Sequence, residues 1–231
     1  MFSGNALFWV ATGFIMEPDA RVVQKILNNL KEGFGISVKP HGDTKLLRIE
    51  WLNLYNMPED LKAIAQLFSY WIFNLGYKPQ AITSIETSGA KYGVATSLFA
   101  HLPYFSLHKV SKLIFEEPIA IESRSITEDR ALKLFGDKSV IQKYKSVVLI
   151  DDIRRTSHTI DSTIELIERC GSDVEGVFVV LDFKFAKHPY PKKVDQRNFH
   201  ALFEIENVKQ TGECEVNKGL ALSYLEKVSV L

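Results

Sequence analysis

Apolar residues along this chain follow two rhythms that alternate. Between 17 and 34, Val22, Ile26, Leu27 and Leu30 recur at helical spacing, and Gly33 and Gly35 mark the stop. Pro40-His41-Gly42-Asp43 reads as a turn, and Leu46 to Trp51 as a short strand. A second helix is expected to begin near Met57-Pro58-Glu59-Asp60, because proline and acids suit a first turn, and to run through Ile72 to a stop at Gly76. Beyond it, short apolar runs exchange with helical segments: strand 81–86, helix 89–100, strand 104–107, a long polar stretch, strand 147–151, helix 159–170, strand 176–181 and a last strand at 201–205. Strands joined by crossover helices predict an α/β fold, a doubly wound and mainly parallel sheet covered on both faces. The segment 220–231 is apolar enough to dock against the body or a partner.

Composition narrows the setting. A chain of 231 residues suits one large domain, and 46% hydrophobic with 24% charged residues supports a real core. Lys plus Arg equals Asp plus Glu at 28 each, so nothing favours a nucleic acid or a membrane surface as partner. Cys170 and Cys214 lack ligand-like spacing and read as two buried side chains in a reducing cytoplasm. The apolar run from Ala6 to Met16 is too short to span a bilayer and lacks a basic start, so no secretory signal and no membrane span are expected.

The chemistry concentrates in Val147-Val148-Leu149-Ile150-Asp151-Asp152-Ile153-Arg154-Arg155-Thr156-Ser157-His158-Thr159. An apolar run of strand length ends in two carboxylates, a hydroxyl-rich turn follows, and a helix-patterned segment begins. Open α/β sheets bind ligands at the carboxyl ends of their strands, and a helix N-terminus with unpaired N–H groups favours a phosphate. Two carboxylates beside a phosphate cup suit a phosphorylated sugar, whose vicinal hydroxyls they can approach directly or through Mg²⁺. The competing reading is a buried strand whose Asp pair caps a helix in an unrelated α/β protein.

The thirteen residues resemble the 5-phosphoribosyl 1-pyrophosphate (PRPP) signature of the type I phosphoribosyltransferases. The departure is that Ser157 and His158 stand where that family has glycine, which takes positive φ and approaches phosphate closely. The resemblance implies that Asp151 and Asp152 hold the ribose hydroxyls, directly or with Mg²⁺ as cofactor. It also implies that Arg155, Thr156, Ser157, His158 and Thr159 bind the 5-phosphate. Glu86-Thr87-Ser88-Gly89, ending one strand and opening a helix, resembles the family's pyrophosphate loop. Ser88 replaces its usual basic residue, which Lys91 is placed to offset. His108-Lys109 ends the next strand where an Arg-Lys pair contacts pyrophosphate in the family, and Lys112 follows in the polar stretch.

The resemblance implies that this polar stretch is a mobile hood, closing over PRPP and excluding water. Glu122 and Arg124 are the candidates from it, Glu122 to manage the nucleobase proton. The implied organisation is an N-terminal helical extension or hood element at 1–45, a phosphoribosyltransferase core at 46–210 with a mobile loop at 110–130, and a C-terminal tail at 211–231. The implied reaction is transfer of 5-phosphoribosyl from PRPP to a nucleobase with release of pyrophosphate. Spacing is most similar to the adenine-type members of the family, with the orotate type second. A regulator that binds PRPP or nucleotides without turnover is the alternative from another class. By analogy, a homodimer is expected.

Overall fold

The computed structural model describes residues 16–229 apart from 42–43 and 125–130, so the apolar stretch at 6–15, Gly42-Asp43 of the expected turn and the charges of 125–130 lie outside the described residues. The chain opens with helix α1 (Ala20–Glu32), capped by Asp19, whose carboxylate accepts the Arg21 N–H at 2.9 Å. It ends at Gly33, where φ is +72° and a Cβ would meet backbone of Gly212 and Glu213 at 2.7 Å. Only glycine permits that conformation and that approach. Strands β1 (Ile36–His41) and β2 (Thr44–Ile49) then pair antiparallel, and a short helix α2 (Glu50–Asn53) follows. The expected strand at 46–51 is therefore shorter at its end, and β1 and α2 are additions to the sequence reading. Helix α3 (Pro58–Asn74) starts on its proline with Glu59 and Asp60 in the first turn, as expected.

The alternating part follows in order: β3 (Ala81–Ile85), α4 (Ser88–Ala100), β4 (Tyr104–Leu107), then a hairpin of β5 (Pro118–Arg124) and β6 (Ala131–Asp137). After a short helix α5 (Lys138–Ile141) come β7 (Ser146–Arg154), α6 (His158–Arg169), β8 (Asp173–Phe183) and β9 (Phe199–Val208). The chain finishes with β10 (Cys214–Lys218) and α7 (Leu220–Ser229). The six-stranded sheet has the order β10-β9-β8-β7-β3-β4, parallel except for β10. The strand at 201–205 is thus not the last: five residues with two register shifts, Cys214–Lys218, form an antiparallel edge. So short and irregular an edge strand carries little pattern of its own.

Alternation along β7 sends Val148 and Ile150 to one face and Val147 and Leu149 to the other, all fully buried. The first face packs on α1, α3 and α7 through Ile26, Leu30, Ile64, Phe68 and Tyr224, so the N-terminal helix and the C-terminal segment share the principal core. The second face carries α6 and the β5–β6 hairpin, with Ile121, Leu134, Leu166 and Ile167. Its remaining part packs Leu149, Ile160 and Ile164 under Tyr190 and Phe199. Among the described residues no helix is long and apolar enough to cross a membrane.

Candidate active site

The chain leaves β3 for β4 on one side and returns to place β7 on the other side of β3. A sheet of this kind opens a crevice at the carboxyl ends of the strands where direction reverses. Helices α4 and α6 both begin there, and neither has a side-chain cap, whereas α1 and α5 are capped by Asp19 and Asp137. Two sets of first-turn N–H groups thus face the same crevice without an acceptor side chain.

Asp151 and Asp152 end the buried part of β7 at this point. Asp151 is 9% exposed, and its Oδ1 accepts the Asp152 N–H at 2.9 Å. Burial first, and the neighbouring Asp152 charge second, push the Asp151 carboxyl well above the usual carboxylate range, while the Lys109 charge pulls weakly the other way. Asp152 is half-buried, and its Oδ2 accepts from Asn53 Nδ2 at 2.6 Å. On the opposite side, a Cβ on Gly89 would stand 2.6 Å from Asp151 Oδ1. The first turn of α4 therefore lies directly against the acid pair, and Gly89 is the residue that lets it.

The turn after β7 shows the backbone that serine takes where glycine was expected. Ser157 adopts φ +53° and ψ −12°, the left-handed conformation of the missing glycine. Its hydroxyl donates to Pro189 O at 2.7 Å, which commits its proton to that carbonyl. Arg155, Thr156 and Thr159 are half-buried in the same turn, and His158 is exposed at the start of α6. They line one open cleft with Asp151, Arg154 and Ile160, and Leu132 of β6 forms its wall.

Glu86 to Gly89 sit at the end of β3, with a cis peptide between Glu86 and Thr87. Glu86 Oε2 lies 2.7 Å from His108 Nδ1 and 3.5 Å from Lys112 Nζ. The His108 ring nitrogen, more than Lys112, holds the Glu86 carboxyl below its ordinary value. His108 also joins the hairpin to the sheet, through paired backbone bonds with Phe135 at 2.9 and 2.8 Å. Lys109 is exposed near the acid pair. Lys91 takes a different place from the one its position suggested. Its Nζ donates to Leu52 O, packs over the Tyr92 ring, and is pushed down in pKa by burial, with the Asp152 charge opposing.

Glu122 is exposed on β5 opposite Lys133, and among the described residues no contact ties it to the acid pair. The Arg124 side chain lies outside the described residues. Within the long polar stretch a mobile loop was expected at 110–130, with a hairpin or helix around Leu132, Leu134, Val140 and Ile141. Its described ends form a hairpin whose Ile121 and Leu134 are buried against α6, because alternation hides one face and leaves charges on the other.

Sequence reasoning missed three groups. Asn53 is one, and the Tyr92-Asn56-Leu52 cluster is the second: Tyr92 Oη donates to Leu52 O at 3.1 Å, and Asn56 Nδ2 donates to Tyr92 Oη at 3.1 Å. Arg154 is the third, 2% exposed, with Nε donating to Asp182 Oδ1 at 2.6 Å. Only Arg154 carried a signal, as a charged residue inside the quoted motif.

An acid pair, a left-handed turn and a second uncapped helix start stand together at a parallel-sheet switch point, an arrangement chemically suited to a sugar phosphorylated at two positions. The Phosphoribosyl transferase domain model matches residues 50–217, and the chain belongs to that family, with the type I fold. An adenine phosphoribosyltransferase of Mannheimia succiniciproducens is 29% identical over 149 residues, covering 63% of this chain and 78% of the relative. One of Prochlorococcus marinus is 32% identical over 114 residues, 49% and 65% of the two chains. A xanthine phosphoribosyltransferase of Clostridium botulinum is 26% identical over 132 residues, 56% and 68%. Among solved structures, adenine phosphoribosyltransferase from Thermoanaerobacter pseudethanolicus superposes with a TM-score of 0.62 at 21% identity, over 77% of this chain and 99% of that one. That from Leishmania tarentolae gives 0.63 at 19%, over 82% and 90%. These two likenesses establish the fold.

Proposed function

We propose that this protein transfers 5-phosphoribosyl from PRPP to a purine, with adenine the favoured base, releasing pyrophosphate. The observation that carries this reading is Ser157 in the left-handed conformation directly after Asp151-Asp152. A turn that had lost this geometry would count against a phosphate at this end of the sugar; a turn that keeps it supports a working phosphate cup, and the case for turnover comes from the family and its relatives. The purine preference rests on the relatives, which include adenine and xanthine enzymes.

In the proposed reaction Asp151 and Asp152 accept hydrogen bonds from the ribose hydroxyls. N–H groups of the 155–159 turn, with Thr156 and Thr159, hold the 5-phosphate. The first turn of α4, with Thr87, Ser88 and Lys109, faces the pyrophosphate, and Lys112 and His108 set the position of Glu86 beside it. Catalysis by these groups is positioning together with stabilisation of leaving-group charge. Carboxylate oxygens are suitable donors for Mg²⁺, yet among the described residues no cluster of three His, Cys, Asp or Glu side chains could hold a metal unaided. Asp151 and Asp152 would hold Mg²⁺ together with PRPP, and the cation would supply neutralisation of charge on the pyrophosphate. No role is given to Glu122. A cytoplasmic homodimer is the proposed form, in keeping with two free, buried cysteines.

The test is pyrophosphate release from PRPP and Mg²⁺ with adenine, hypoxanthine, guanine, xanthine or orotate supplied singly. Turnover is expected with adenine. Turnover only with orotate would replace the purine assignment, and PRPP binding without turnover on any base would make the protein a regulator.

A further inference from the structure

Arg154 stands two residues beyond the strand's acid pair and three before the left-handed serine, and it is charged, buried and outside the chemistry described above. Its guanidinium is shared among several partners. Nε donates to Asp182 Oδ1, and Nη1 reaches His188 O at 3.3 Å, Pro189 O at 3.2 Å and Ser157 Oγ at 3.5 Å. The plane lies over the Tyr190 ring, 4.7 Å from its centre. The Asp182 side chain is itself 1% exposed, and its second oxygen meets Lys184 Nζ at 3.2 Å. Pro189 O is therefore a shared acceptor, taking the Ser157 hydroxyl at 2.7 Å as well as the guanidinium.

A non-glycine residue in the left-handed region is strained and persists only where its surroundings over-determine it. The surroundings here are Arg154 and the Pro189 carbonyl that it orients. We infer that Arg154 is a positioning residue for the 5-phosphate: it fixes the 188–190 segment so that Pro189 O anchors the Ser157 hydroxyl, and this anchor replaces glycine in holding the phosphate turn open. The serine hydroxyl thus acts on the backbone rather than on the ligand. Arginine suits the task because its planar fork donates from separate nitrogens, Nε to Asp182 and Nη1 to the two carbonyls, where a lysine has one nitrogen. This inference rests on the phosphoribosyl reading of the site.

The test measures affinity for ribose 5-phosphate by calorimetry, in the full-length protein and in four variants whose folding is checked by thermal unfolding. Ser157→Gly is expected to bind more tightly than Ser157→Ala, since glycine needs no anchor. Ser157→Ala, which keeps the Cβ and loses the anchor, is expected to bind about tenfold more weakly than wild type, the equivalent of the left-handed strain of a single residue. Arg154→Lys is expected to weaken binding similarly, and Arg154→Lys with Ser157→Gly to recover most of the loss. Pyrophosphate affinity, read in parallel, should not move in any of them.

Rescue by glycine is the decisive outcome, because a residue that merely packs the core would not be rescued. Wild-type affinity in Arg154→Lys, or a loss that glycine leaves untouched, overturns the inference. If Arg154→Lys fails to fold, the alanine and glycine variants at 157 decide, and equal affinity in these two overturns it. Failure of wild type to bind either ribose 5-phosphate or PRPP would overturn the site reading itself, and the inference with it.

Discussion

Replacing Asp151 by Asn should stabilise the free protein while removing its ligand. The carboxyl is buried beside a second carboxylate, and its pKa is raised chiefly by burial. Above that raised pKa both the folded and the unfolded chain carry the charge, and the folded state bears the whole cost. As pH falls through the folded pKa toward the unfolded value, the folded side chain takes up its proton first and the cost disappears. Two unit charges 4 Å apart repel by about 4 kcal/mol at a protein-like dielectric, an upper bound because Lys109 and the Asp152 N–H offset part of it. An Asn oxygen keeps the bond to the Asp152 N–H, so the expected gain at pH 8 is about 1–2 kcal/mol, the usual scale for relieving an active-site strain. Urea unfolding at pH 8 and at pH 4.5 measures it, with PRPP calorimetry on the same samples. The variant should be more stable at pH 8, converge on wild type at the lower pH, and bind no PRPP. A variant less stable than wild type at pH 8, with unchanged urea dependence, would refute the claim that the charge has a net cost in the folded state.

Other perturbations test the frame around the pair. Gly89→Ala puts a methyl 2.6 Å from Asp151 Oδ1 and 3.3 Å from its Cα, so helix α4 must retreat; a loss of about 1–3 kcal/mol in stability is expected, together with weaker pyrophosphate binding. Wild-type stability and affinity in that variant would contradict the close packing. His200 is held down to about 4 by burial, and its ring meets Tyr77 Oη at 2.7 Å. Its folded pKa lies below the ordinary 6.5, so stability should fall as pH drops from 6.5 toward 4, and His200→Gln should flatten that part of the profile.

The strand, acids and turn of the site were legible because burial on both faces writes a continuous apolar run, and because the two carboxylates follow it directly. Helices α3 and α4 were legible for equally local reasons: proline and acids at a start, a glycine at a turn. What escaped depended on distance. The conformation of Ser157 is set by Pro189, 32 residues away, and Arg154 finds Asp182 across 28 residues. No local rule gives either. Asn53 reaches Asp152 over 99 residues and belongs to a four-residue helix too short to show a period. Lys91 pointed in sequence to the pyrophosphate turn, yet a lysine on the first turn of a helix can swing to either side, and the Leu52 carbonyl took it.

The most direct measurement is a crystal structure with PRPP and Mg²⁺ bound. The ribose hydroxyls should lie on Asp151 and Asp152, the 5-phosphate on the N–H groups of the 155–159 turn at the start of α6, and the pyrophosphate at the start of α4 beside Gly89. The Ser157 hydroxyl should remain on Pro189 O. Phosphates found away from both helix starts, or a ribose that leaves the acid pair untouched, would contradict this assignment.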